Sequence, residues 1–254
     1  MERKDDENRE IMIQAISSLV YEQWERLSRD PYLVPVGISA RHVHLSREHV
    51  DQLFGQGYLL TPMKYLSQNG QFACLEQVAV QGPKGGFQKV RILGPERAKS
   101  QVEMSASDCR FLGIEPVVRT SGEIDNTPGI RLNGPSGEVS LKQGVMVADR
   151  HIHMTQADAA WFGVSDRDRV NVRVPGPKGG ILSHVVIRVS TDSRLDFHID
   201  TDDANAFQLK QGQWLPVRKE MSSGRTILWR KEKYHCRGGY HWRRNRRIGS
   251  GDNG

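Results

Sequence analysis

The stretch Arg41-His42-Val43-His44-Leu45-Ser46 returns 109 residues later as Arg150-His151-Ile152-His153-Met154-Thr155, and this echo decides how the rest of the chain is read. On a strand, residues i and i+2 point to the same side. His42 and His44 therefore project together, and so do His151 and His153. Each pair runs into a hydroxyl residue suited to cap a helix, Ser46 or Thr155, and each helix has a glycine stop, Gly55 or Gly163. A second motif repeats in step. Gly82-Pro83-Lys84-Gly85-Gly86 returns as Gly176-Pro177-Lys178-Gly179-Gly180, at an offset of 94. The order of parts is the same in both halves: strand, Arg-His-apolar-His, capped helix, strand, Gly-Pro-Lys-Gly-Gly turn, strand. Two related β units account for that order. The shorter second offset gives the first unit about fifteen extra residues between its helix and its turn.

From Val34 to Lys219 the chain is made of short runs rich in Val, Ile and Leu, such as Val78-Ala79-Val80 and Val170-Asn171-Val172-Arg173-Val174. Gly-Pro pairs at 82, 94, 134 and 176 punctuate them. Many short strands with close turn signals predict an all-β sandwich or barrel, interrupted here by short capping helices. Ahead of this body, residues 5–28 read as an amphipathic helix. Ile13, Ile16, Val20, Trp24 and Leu27 recur at steps of three or four, and Ser28-Arg29-Asp30-Pro31 ends the pattern. Such a helix either packs on its own domain or docks on another protein. The expected divisions are residues 1–30 (helix), 31–148 (first unit), 149–220 (second unit) and 221–254 (tail).

The net charge of +6 invites a nucleic-acid reading, so its location matters. Residues 221–254 hold nine Lys/Arg against two Asp/Glu, which leaves residues 1–220 at −1. The basicity belongs to a tail expected to be disordered, which would bind polyanions non-specifically. His235, Cys236 and His241 in that tail lack the second cysteine pair of a zinc finger. The three cysteines, Cys74, Cys109 and Cys236, make no disulfide framework and suit a reducing, cytosol-like compartment. No apolar run approaches the ~18–20 residues that span a bilayer, so no membrane association is expected.

The duplicated histidine pairs carry the chemistry. Two ligands rarely hold a metal, so each unit needs a third. Glu103 lies 17 residues after Gly86, and His198 lies 18 after Gly180. Nearly the same place in the two repeats thus offers a carboxylate in one and an imidazole in the other. The result is a His42-His44-Glu103 set and a His151-His153-His198 set, both of the open three-ligand kind used in catalysis. Arg97 stands six residues before Glu103. A guanidinium binds phosphate with two parallel hydrogen bonds and keeps its charge at neutral pH. Its bland reading is a solvated arginine in a turn.

Taken together, Val36-Gly37-Ile38-Ser39-Ala40-Arg41-His42-Val43-His44-Leu45-Ser46, Leu93-Gly94-Pro95-Glu96-Arg97, Gln101-Val102-Glu103 and Val147-Ala148-Asp149-Arg150-His151-Ile152-His153 resemble the PduL-type phosphate propanoyltransferases of bacterial microcompartments. The resemblance runs from about Val34 to Lys219. It implies a pair of related six-stranded β-barrels capped by short helices, with the first strand exchanged into the second barrel. It also implies two zinc ions at their junction. His42, His44 and Glu103 would hold the zinc that meets the coenzyme A sulfur; His151, His153 and His198 would hold the other, beside phosphate. Arg97 would bind phosphate, and Ser121 matches a polar position near the site. The implied reaction is acyl-CoA (propanoyl-CoA or acetyl-CoA) plus phosphate to acyl phosphate plus CoA.

Residues 5–28 resemble the family's encapsulation helix, which implies shell or other cargo proteins as partners and the compartment lumen as location. The basic tail matches no motif of the family and leaves a homo-oligomer and extra binding open. Two rival readings stand beside this one. A zinc-dependent thioester hydrolase would use the same ligands with water in place of phosphate. A nucleic-acid binder would work through the tail.

Overall fold

Val34 and Val36 of the first strand, β1 (Leu33–Ser39), are fully buried, but not in the unit that follows them in sequence. The computed structural model describes residues 11–20 and 32–219. Within it, β1 runs parallel to β14 (Asp196–Asp200) and antiparallel to β15 (Trp214–Lys219). It completes a closed barrel with β11 (His151–Met154), β12 (Arg169–Val174) and β13 (Gly180–Val189), in the order β1-β14-β11-β13-β12-β15. The exchange is reciprocal. The strand just before the second histidine pair, β10 (Val145–Ala148), leaves its own repeat and runs parallel to β6 (Gln101–Glu103) of the first unit.

The first unit has the corresponding order β10-β6-β2-β5-β4-β8, where β2 is His42–His44, β4 Phe72–Gln81, β5 Gly86–Gly94 and β8 Ile130–Asn133. Three further strands extend it to a nine-stranded sheet: β3 (Pro62–Tyr65) on β4, β7 (Val118–Arg119) on β10, and β9 (Glu138–Leu141) on β8. At the seam equivalent to the closed β1–β15 ladder, β10 meets the segment before β8 through the Val145 N–H to Pro128 C=O hydrogen bond, 2.9 Å. Proline offers no N–H in return, so the ladder does not continue there. The expected all-β architecture with capping helices is therefore present, one barrel fully laddered and its relative half open.

Each unit has one core, and each core contains the other's strand. Val145 and Val147 sit among the buried side chains of the first unit, and Val34 and Val36 among those of the second. Full burial of a valine contributes roughly 1.5–3 kcal/mol. The exchange thus couples the two units through their interiors as well as their surfaces.

Short helices close the barrel ends: α2 (Arg47–Phe54), α3 (Ala106–Leu112), α4 (Gln156–Phe162) and α5 (Thr201–Phe207). Ser46 and Thr155 cap α2 and α4, and Gly55 and Gly163 end them with φ of 108° and 64°, a region open to glycine at little cost. The arginine that opens each His-x-His motif has a structural task. Arg41 Nη2 donates to Asp108 Oδ1 at 2.6 Å, and Arg150 Nε lies 3.3 Å from Asp203 Oδ2. Asp108 and Asp203 stand in the first turns of α3 and α5, so each arginine ties a ligand strand to a capping helix.

The extra residues of the first repeat include β3 and the 66–71 loop. That loop crosses to the second unit, where Gln68 Nε2 donates to Arg194 C=O (3.0 Å) and Arg194 N–H to Gln68 Oε1 (3.2 Å). Upstream, residues 11–20 are helical (α1), with Ile13, Ile16 and Val20 exposed. The rest of the expected 5–28 helix, including Trp24 and Leu27, and the basic tail at 221–254 lie outside the described residues. Among those described, no helix is long and apolar enough to cross a membrane.

Candidate active site

Strand pairing brings the six candidate ligands together. In the first unit β2 lies antiparallel to β6, with His42 opposite Glu103 and His44 opposite Gln101. In the second, β11 lies antiparallel to β14, with His151 opposite His198 and His153 opposite Asp196. Directly opposed residues on one face of an antiparallel pair have Cβ atoms about 4.5–5.5 Å apart, so each ladder clusters its own three donors. The donor atoms of His42, His44 and Glu103 lie within 4.8 Å of one another, and so do those of His151, His153 and His198. Both sets line one cleft, with Arg97, Ser121 and Arg188.

The distances suit a small cation. Tetrahedral zinc, bound at about 2.0–2.1 Å, holds its ligand atoms about 3.4 Å apart. His42 Nε2 lies 3.6 Å from Glu103 Oε2, and His44 Nε2 lies 3.9 Å from Glu103 Oε1. His151 Nε2 faces His153 Nε2 at 3.1 Å, a contact made favourable by a shared proton or a shared cation. The outward nitrogens are anchored on backbone carbonyls: His42 Nδ1 to Ala40 (2.9 Å), His44 Nδ1 to Leu93 (3.2 Å) and His151 Nδ1 to Asp149 (2.7 Å). An imidazole donating from Nδ1 turns the lone pair of Nε2 into the cluster, which is the form that binds metal.

Electrostatics keep most of these rings neutral. Burial, then the charges of His42 and Arg97, pulls His44 down to about 3. Burial and neighbouring imidazoles lower His151 to about 4 and His153 to about 2. His42 is the exception. Burial lowers it, but the charge and hydrogen bond of Glu103 outweigh that and raise it. Glu103 in turn is driven well below the usual carboxylate range, because His42 and His44 outweigh its burial. His42 and Glu103 thus each favour the charged form of the other. A divalent cation between them would satisfy the same carboxylate and imidazole.

Ser121, weakly indicated by sequence, is a hub. Its hydroxyl donates to Glu103 Oε1 (2.6 Å) and accepts from Gln101 Nε2 (3.0 Å) and Arg97 Nη1 (3.3 Å). Arg97 is aimed into the cleft from the segment between β5 and β6, held by its N–H to Leu45 C=O at 2.9 Å. Its burial, and then the like charge of Arg188, lower its pKa while Glu103 opposes them. A guanidinium nonetheless stays charged.

Three site residues escaped sequence reasoning. Arg188 stands beside His153 in the parallel β11–β13 register. Gln101 donates to Glu103 Oε1 at 2.5 Å, and Asp196 Oδ2 lies 3.0 Å from His198 Nε2. The last two had a legible signal. Gln101-Val102-Glu103 and Asp196-Phe197-His198 are the same polar-apolar-polar triplet at equivalent places in the repeats. A cysteine nucleophile has no support among the described residues: Cys74 and Cys109 are buried, and burial pushes both thiols up to about 11.

Comparison with known proteins finds close relatives of the chain. Residues 35–210 match the family model described as phosphate propanoyltransferase. The chain is similar to the phosphate propanoyltransferase of Thermotoga maritima, 49% identical over 194 residues, covering 76% of this chain and 92% of that one. It is 50% identical over 190 residues to that of Rhodobacter capsulatus, covering 75% and 88%. It is 44% identical over 205 residues to that of Clostridioides difficile, covering 81% and 98%.

Proposed function

The chain belongs to the phosphate propanoyltransferase family, an acyltransferase family, and from that premise we propose that it interconverts acyl-CoA and phosphate with acyl phosphate and CoA at a two-zinc site. His42, His44 and Glu103 hold one ion; His151, His153 and His198 hold the other. One observation carries the reading: two separate three-donor sets open on a single cleft that also holds the half-buried Arg97.

A phosphate oxygen attacks the thioester carbonyl carbon; the C–O bond forms, the C–S bond breaks, and the electron pair leaves on sulfur. Phosphate is already a nucleophile, so the protein need only place it and manage charge. Arg97 binds the phosphate with two parallel hydrogen bonds, and Arg188 adds a second positive charge from the side of His153. Ser121 holds Arg97 in register with Glu103, so the phosphate-binding group and the first ligand set move together. When bound, zinc supplies a Lewis acid for oxygen and a soft partner for the departing sulfur. Propanoyl-CoA and acetyl-CoA both fit this scheme. The exposed apolar residues of α1 support docking of residues 5–28 on a microcompartment shell or on another cargo protein in the lumen.

The test is thiol release from propanoyl-CoA and acetyl-CoA with and without phosphate, alongside zinc content by mass spectrometry. Phosphate-dependent release and two zinc ions per chain are expected. Release independent of phosphate would instead make the protein a thioester hydrolase.

A further inference from the structure

The two ligand sets share more than their donors. In each, the third ligand is held by the residue two places before it on the same strand, and the polarity of that holder is inverted to suit. Glu103, an acceptor, receives the amide hydrogen of Gln101; His198, a donor, faces the carboxylate of Asp196 at 3.0 Å. Asp196 is buried, only 5% exposed, directly across the ladder from His153. Its Oδ2 also accepts the hydroxyl hydrogen of Ser67. Ser67 comes from the other unit, on the 66–71 loop that the first repeat has and the second lacks, and the mutual Gln68–Arg194 hydrogen bonds fasten that loop beside it.

The exchanged strand makes room for the pair. Gly37 of β1 lies opposite His198 in the parallel ladder. A Cβ there would stand 2.7 Å from Asp196 Oδ1 and 2.8 Å from His198 Cδ2. Glycine is therefore required by close approach, not by backbone torsion.

We infer that Asp196 is the positioning residue of the second ligand set: it takes the hydrogen of His198 Nε2, leaves Nδ1 as the nitrogen offered to the metal, and is itself held by Ser67 from the first unit. This rests on the reading of His151, His153 and His198 as a metal set. It assigns His198 the opposite ring nitrogen from His42, His44 and His151, whose Nδ1 atoms are engaged by carbonyls. A ligand imidazole held by a carboxylate is fixed in ring orientation and tautomer and becomes a stronger base, and loss of such a partner typically weakens metal binding by about 10–100-fold.

The experiment loads the full-length protein, its D196A, D196N and S67A variants, and a H153A control with zinc or cobalt. It measures ions per chain, competition against a chelator, and the cobalt absorption spectrum. Two ions per wild-type chain are expected, with the weaker-holding site in D196A losing its ion at about 10–100-fold lower chelator concentration. D196N retains an oxygen acceptor and should recover most of that loss. S67A leaves β14 untouched and should show a smaller shift of the same sign, with an altered cobalt spectrum. Unchanged metal retention and spectra in both D196A and S67A would overturn the inference. So would a metal-loaded crystal structure with His198 bound through Nε2. If wild type binds no ion that H153A removes, the metal reading of the second set fails first, a result distinct from either of these.

Discussion

At Arg97 the choice of side chain carries the chemistry. The half-buried Arg97 lines the cleft and is hydrogen-bonded to Ser121, which in turn touches Glu103. A lysine would keep the charge but lose the planar two-pronged geometry, and its pKa yields more readily to burial. R97K is accordingly expected to raise KM for phosphate and lower kcat/KM by about 10–100-fold, a loss on the order of one charge-assisted hydrogen bond. KM for acyl-CoA should move little, and steady-state kinetics with each substrate varied in turn would separate the two. Equal losses for both substrates would place Arg97 outside the phosphate subsite.

Among the elements, β4 shows how a strand is fastened away from the candidate ligand sets. Glu76 on β4 is buried and accepts from the Tyr58 hydroxyl at 3.0 Å and the Thr61 N–H at 3.1 Å, binding the 58–61 segment to the strand. Burial alone would raise its pKa, but the N–H groups of Glu76 and Thr61, with the Tyr58 hydroxyl, outweigh that and lower it. A carboxyl depressed in the folded state contributes stability above its unfolded pKa and loses it as pH falls through the folded pKa. Chemical denaturation of E76Q near pH 7 should therefore show a loss of about 1–3 kcal/mol. The gap to wild type should shrink as pH drops below about 4.5. A gap constant with pH would mean that the charge of Glu76 plays no part.

For the whole molecule, the decisive feature is reciprocal strand exchange. Neither repeat contains all the strands of its own barrel, so the two must fold together. Deleting residues 1–31 leaves β1 intact, and such a protein should keep its fold and turnover while losing the docking proposed for residues 5–28. Deleting residues 1–40 removes β1, with Val34, Val36 and Gly37, and opens the closed barrel along β14 and β15. That protein should lose cooperative thermal unfolding, seen by circular dichroism, together with the ion proposed for His151, His153 and His198. Retention of a cooperative transition would show that the second repeat closes without the exchanged strand.

The sequence by itself determined the repeat, the all-β class, the helix caps and all six candidate ligands. Those features are local or periodic: His-x-His on a strand fixes a shared face, and near-equal spacing from the Gly-Pro-Lys-Gly-Gly turns singles out Glu103 and His198. Arg97 and Ser121 were named, but their hydrogen bond joins residues 24 apart and appears only once the chain is folded. Tertiary structure alone decided that Arg41 and Arg150 tie strands to helices, that Arg188 joins the cleft, and that Ser67 reaches Asp196 across 129 residues. Each depends on which strands become neighbours, and strand exchange sends neighbours in sequence to opposite units. No local pattern encodes that. It is set by the burial of β1 and β10 in each other's cores.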